Sequence, residues 1–219
     1  MEPSALVGSL RRVSGACLVL AGITFWLAWF LMPLPGTTDA AFILEQVGAN
    51  RAHVFASVAV QVLSGALFIP GLLGFAVAPG LRDSARGFAA LSLVGIGATG
   101  LAADAIYHLL AFEMSAPGVA REAMLPVMER FQSGDLVFVA PQLLALVAGV
   151  ALLAWAAAAA GLAPARTPRW LLLALVTALA GGALVRAFGF PRRGVALSVI
   201  GLVAVTIAEL GASQWRTRS

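Results

Sequence analysis

The sequence has no lysine, one cysteine, one tyrosine and two histidines, and only 11% of its 219 residues are charged. Each shortage excludes something. A soluble fold carries about a quarter charged residues, so a soluble enzyme and a disordered chain are both excluded. A lone Cys17 forms no intramolecular disulfide and no cysteine metal cluster. Fourteen arginines against ten acids give a net charge of +4 and a pI near 10.9. The arginines sit as short flanks beside apolar runs, which is orientation signalling and not a nucleic-acid surface. Phosphate-binding loops, dinucleotide fingerprints and serine-nucleophile elbows are also missing. The expected role is therefore non-catalytic.

What is abundant is hydrocarbon: 61% of residues are hydrophobic and the mean hydropathy is +0.96. Apolar runs cover about 13–32, 54–78, 87–112, 136–160, 170–190 and 194–213. About twenty residues of helix cross the ~30 Å hydrocarbon layer. Lipid offers no hydrogen-bond partners, and continuous runs such as 143–161 lack the alternation of a barrel strand. The expectation is an all-α bundle of six transmembrane helices forming one domain over residues 1–219, with its partner the lipid bilayer. The run after Arg11 and Arg12 is too long for a signal-peptide core and reads as a retained first span.

Arginine distribution sets the expected orientation. With the N-terminus inside, Arg11, Arg12, Arg82, Arg86, Arg166, Arg169, Arg216 and Arg218 lie inside, against six arginines outside. Trp26 and Trp29 fall towards the outer end of the first span, and Trp155, Trp170 and Trp215 near inner ends, in agreement. An Ala-, Leu-, Gly- and Arg-rich chain without lysine suggests a GC-rich bacterial genome. The expected location is thus a bacterial inner (cytoplasmic) membrane, with both termini cytoplasmic. Arg192 and Arg193 are the misfit, lying in a short outer loop. Snorkelling to outer headgroups accounts for them, with an anion or subunit contact as the sharper alternative.

Outer loops 33–53 and 113–135 are long enough for structure of their own. Thr37 or Thr38 is expected to cap a short helix through Asp39–Val47, and Pro117 to open a second, bent at Pro126. Ala120, Met124, Met128 and Phe131 give that second helix an apolar face, so both loops read as lids. Met32, Met114, Met124 and Met128 all lie on this side, without the close spacing of a copper motif. Small residues recur in span five (Ala174, Ala178, Gly182) and span six (Ser198, Gly201, Ala204, Ala208, Gly211). They suit close packing, either inside the chain or against a partner protein or second copy through these two spans. Gly95, Gly97 and Gly100 would admit a neighbouring helix or a flat cofactor.

Polar residues at hydrocarbon depth are expensive and are the best functional pointers. Asp104 is the one acid well inside a span, with His108 four residues on along the same helix face and Tyr107 beside it. At a rise of about 1.5 Å per residue, Gln61, Thr24 and Gln142 fall in the same outer half. The layer reads either as a hydrogen-bonded tie between helices or as an outward-facing polar pocket. That pocket would bind or pass a small ligand or proton through Asp104, His108, Gln61, Tyr107 and Gln142. A second reading gives His53 and His108 to haem as axial ligands, or His53, Asp104 and His108 to a metal ion. A third is an accessory subunit of a larger membrane complex.

Overall fold

The computed structural model describes residues 3–33, 39–188 and 191–216. Their helices are α1 (Pro3–Leu31), α2 (Ala40–Ala49), α3 (Arg51–Ala76), α4 (Pro79–Arg82), α5 (Ala85–Met114), α6 (Arg121–Phe138), α7 (Ala140–Ala159), α8 (Thr167–Phe188) and α9 (Arg192–Arg216). Six are long and apolar enough to cross a membrane: α1, α3, α5, α7, α8 and α9. The fold is an all-α helical bundle, and the bilayer is the environment its apolar helices fit.

Neighbours run around the bundle in the order α8, α9, α1, α3, α5, α7, and α7 touches α8 and α9 only lightly. One face holds the start of α1, the end of α9, and the connections 77–84 and 160–166; we call it the terminal face. The opposite, loop face carries α2 and α6. Three side-chain to backbone bonds fix this alternation. Trp215 Nε1 donates to Arg12 O at 2.9 Å on the terminal face. On the loop face Arg193 donates to Phe30 O at 2.9 Å, and Arg51 donates to Phe112 O while its guanidinium stacks 3.6 Å above the Phe112 ring.

The two loop-face bonds explain basic residues that the orientation argument left over. The last carbonyls of a helix have no partner in their own ladder and carry partial negative charge. Phe30 and Phe112 lie in the last turns of α1 and α5, so Arg193 and Arg51 satisfy those carbonyls. Arg193 is engaged inside the chain; Arg192 is exposed.

Close approach between helices is concentrated at glycines. A Cβ added at Gly97 would lie 2.4 Å from Leu146 Cα, and one at Gly149 would lie 2.6 Å from Val94 N, so α5 and α7 touch backbone to backbone. Gly97 and Gly100 thus admit α7, while Gly95 has open space around it. Gly15 of α1 and Gly211 of α9 meet in the same way, each virtual Cβ within 2.7 Å of the other's carbonyl oxygen. Ala204 and Ala208 lie against Gly22, so most of the small-residue stripe of α9 packs on α1 of the same chain. On α8 only Thr167, Ala174 and Gly181 are buried, and Ala178 is exposed.

The loop helices depart from the sequence-based boundaries. Asp39 caps α2, accepting from Phe42 N at 3.0 Å; Thr37 and Thr38 lie outside the described residues. Pro117 does not open the second helix: a turn occupies the residues around it, and α6 starts at Arg121. Leu136–Phe138 belong to α6, not to the fourth span, because Pro141 at the second position of α7 starts a new helix. Pro126 sits inside α6.

Two hydrophobic clusters result. The larger fills the bundle with Leu18, Phe25, Phe68, Phe75, Leu101, Leu146 and Ile207 among others. The smaller unites Met32, Ile43, Leu44, Val47, Val54, Ala111, Met114 and Met128 on the loop face. Three of the five methionines are therefore apolar filling in a cap made by α2, α6 and the ends of α1, α3 and α5.

Candidate functional site

The site is built on α5 at the junction of the two clusters: Leu101 belongs to the bundle core, Ala111 to the cap, and Asp104 and His108 lie between them. A separation of four residues puts both on one helix face. Asp104 is 5% exposed. Gln61 of α3, 2% exposed, donates its amide Nε2 to Asp104 Oδ2. His108 Nδ1 approaches the same oxygen at 3.6 Å, an ion-pair distance that is too long for a hydrogen bond. That nitrogen is buried and has no hydrogen-bond partner.

Trp29 of α1 closes the other side. Its ring stands edge-on to the His108 imidazole, with centroids 6.2 Å apart at 86°, and its buried indole Nε1 also lacks a partner. Tyr107 is partly buried against the cap, its ring 5.5 Å from that of His108. The cluster thus contains one acid, one histidine, one amide and two nitrogens without protein partners. Such groups cost free energy when buried and are where a proton, a water or a polar ligand atom is stabilised.

Positioning comes from α3. Ser57, Gln61 and Ser64 are spaced four and three apart, so they share a face. Ser57 Oγ donates to Ala28 O at 2.7 Å, and Ser64 Oγ donates to Ala21 O at 3.0 Å. These two bonds staple α3 to α1 on either side of Gln61, leaving the longer amide to cross to α5. In the sequence neither serine marks a site and Trp29 marks only the outer end of the first span, although the four-three spacing of Ser57, Gln61 and Ser64 is visible there.

Asp104, His108, Gln61 and Tyr107 come together; Gln142 does not join them. Its Nε2 donates to Phe138 O at 2.9 Å, and its Oε1 accepts from Thr99 Oγ1 at 3.3 Å, on the α5 to α7 contact. Thr24 is spent on its own helix, donating to Leu20 O at 2.7 Å. His53 is exposed at the start of α3, about 12 Å along the helix from Gln61 at the usual rise. Among the described residues no three His, Cys, Asp or Glu side chains are grouped to hold a metal ion, so the set His53, Asp104 and His108 is not gathered.

Compared with known proteins, the chain matches no family model, no curated protein and no solved structure.

Proposed function

We propose that this chain binds or passes a proton or small polar ligand within the membrane, without catalysis, and that Asp104 is the group that takes it up. The observation that carries the reading is the shared oxygen: Gln61 and His108 both address Asp104 Oδ2, and the second approach is left unbonded. A purely structural tie needs only a saturated neutral pair. Here two protonatable groups face each other in a low-dielectric setting, so a proton or ligand on either changes the attraction between them. Tyr107 and the loop-face cap form the lid side, which makes the loop face the side of access.

The same reading sets the chain in a bacterial cytoplasmic membrane with both termini inside, supported by the eight arginines assigned to the terminal side. It gives any second membrane chain the α8 face, because the α9 stripe is largely occupied by α1.

The test is reconstitution into liposomes containing a pH-sensitive dye, with and without the Asp104→Asn substitution. Asn keeps the size and an acceptor for Gln61 but not the exchangeable charge. Loss of pH-dependent proton or ligand movement in a folded, inserted variant is expected. Unchanged movement would sink the reading.

A further inference from the structure

A second site lies on the terminal face, away from Asp104. Between the start of α5 and the junction of α7 with α8 there is a cleft of about 630 Å³, its lining including Ser84, Arg86, Trp155, Ala156, Ala159 and Pro168. Its chemistry is divided. The α7 wall is made by an alanine run, residues 156–160, whose short side chains leave the groove open. Trp155 is 72% exposed, near the end of α7 where an indole meets the headgroup layer. At the other edge stands Arg86, in the first turn of α5.

Among the described residues Arg86 makes no ion pair or hydrogen bond. Two neighbouring arginines on this face are engaged. Arg82 is bonded to Asp83 at 3.1 Å, and that hydrogen bond, then the aspartate's charge, holds its guanidinium above the ordinary value. Arg166 is bonded to Glu209 at 2.6 Å. The amides of Ala85 and Arg86 also open a 30-residue helix, where no intrahelical acceptor exists. Ser84 Oγ takes Gly87 N at 2.9 Å and leaves those two unserved. No carboxylate lines the cleft.

From this division we infer that the cleft holds one anionic glycerophospholipid, its phosphate on Arg86 and the first amides of α5, an acyl chain along the alanine wall beside Trp155. Charge complementarity selects the occupant. A zwitterionic headgroup would bring an ammonium to a lining with no acid, and a free phosphate would leave the apolar wall unused. The inference stands apart from the Asp104 reading and survives its failure.

Native mass spectrometry of the full chain in mild detergent, titrated with phosphatidylglycerol or phosphatidylcholine, tests it. One phosphatidylglycerol per chain is expected to bind roughly tenfold more tightly than phosphatidylcholine, the size of one charge-assisted contact. Arg86→Gln should bring the two lipids level, while Arg82→Gln and Asp104→Asn leave the preference intact. Ala159→Phe, which fills the groove without touching the charge, should weaken both lipids. A preference that persists in Arg86→Gln, affinities unchanged in Ala159→Phe, or displacement by inorganic phosphate at the lipid's own concentration overturns it.

Discussion

Two buried polar regions sit in opposite halves of the bundle, and they are built differently. In the terminal half, Ser14 of α1 donates to Pro70 O and accepts from Gly74 N at 2.8 Å. Its hydroxyl is thus inserted into the hydrogen-bond ladder of α3, just past a proline that already weakens it. Gln214 of α9 adds a bond to Gly71 O at 3.2 Å. These three bonds run between side chain and backbone, and neither Ser14 nor Gln214 is titratable. In the loop half the contacts of Asp104 run from side chain to side chain, two of the three partners are titratable, and nitrogens of Trp29 and His108 have no protein partner. The first region holds three helices together; the second is the one we propose takes up a proton or small ligand.

The strongest way to break that contrast is at Gly74, where a Cβ would lie 1.7 Å from Gln214 Oε1. Gly74→Leu should cost about 3 kcal/mol or more by overpacking, read as a lower unfolding midpoint in detergent. Gly95→Leu, which meets nothing within 4 Å, should not. Next is Asp104→Ala, which leaves the Gln61 amide buried without its acceptor and should cost about 1–3 kcal/mol. Asp104→Asn should cost clearly less, so a large loss in the Asn variant would recast the cluster as structural.

A smaller effect is expected at Arg193→Gln. It removes the cation from the C-terminal carbonyls of α1 and should lower stability by about 0.3–1 kcal/mol, in thermal melts run at low salt. Of comparable size is the effect expected of Trp29→Phe. An aromatic ring stays beside His108 while the fused pyrrole and its unbonded N–H are lost from a partly buried position, so stability should fall by no more than about 1 kcal/mol. Ligand or proton movement should fall if that N–H serves the passing species, and a stability loss like that of Asp104→Ala would show Trp29 to be part of the structural frame.

The six spans were legible because length and hydropathy are properties of a segment by itself. The shared layer had a local counterpart: Asp104, His108 and Gln61 were expected at one level, and Gln61 and His108 both meet Asp104. What the sequence left open was rotation about each helix axis. Gln142 shares the layer but faces Thr99 on another side of α5, and His53 shares α3 but sits about two turns away. Ser14, Ser57 and Ser64 read as ordinary small residues because their partners are backbone carbonyls, which every residue supplies. Arg193 looked misplaced only because the carbonyl it satisfies belongs to a helix 163 positions away.

The most direct test is the fluorescence of Trp29, which stands against His108, in a variant with Trp26, Trp155, Trp170 and Trp215 replaced by phenylalanine. The account predicts a pH-dependent signal that Asp104→Asn abolishes and Ser14→Ala leaves in place. A signal that is flat with pH, or that responds identically in the Asp104→Asn protein, would contradict it.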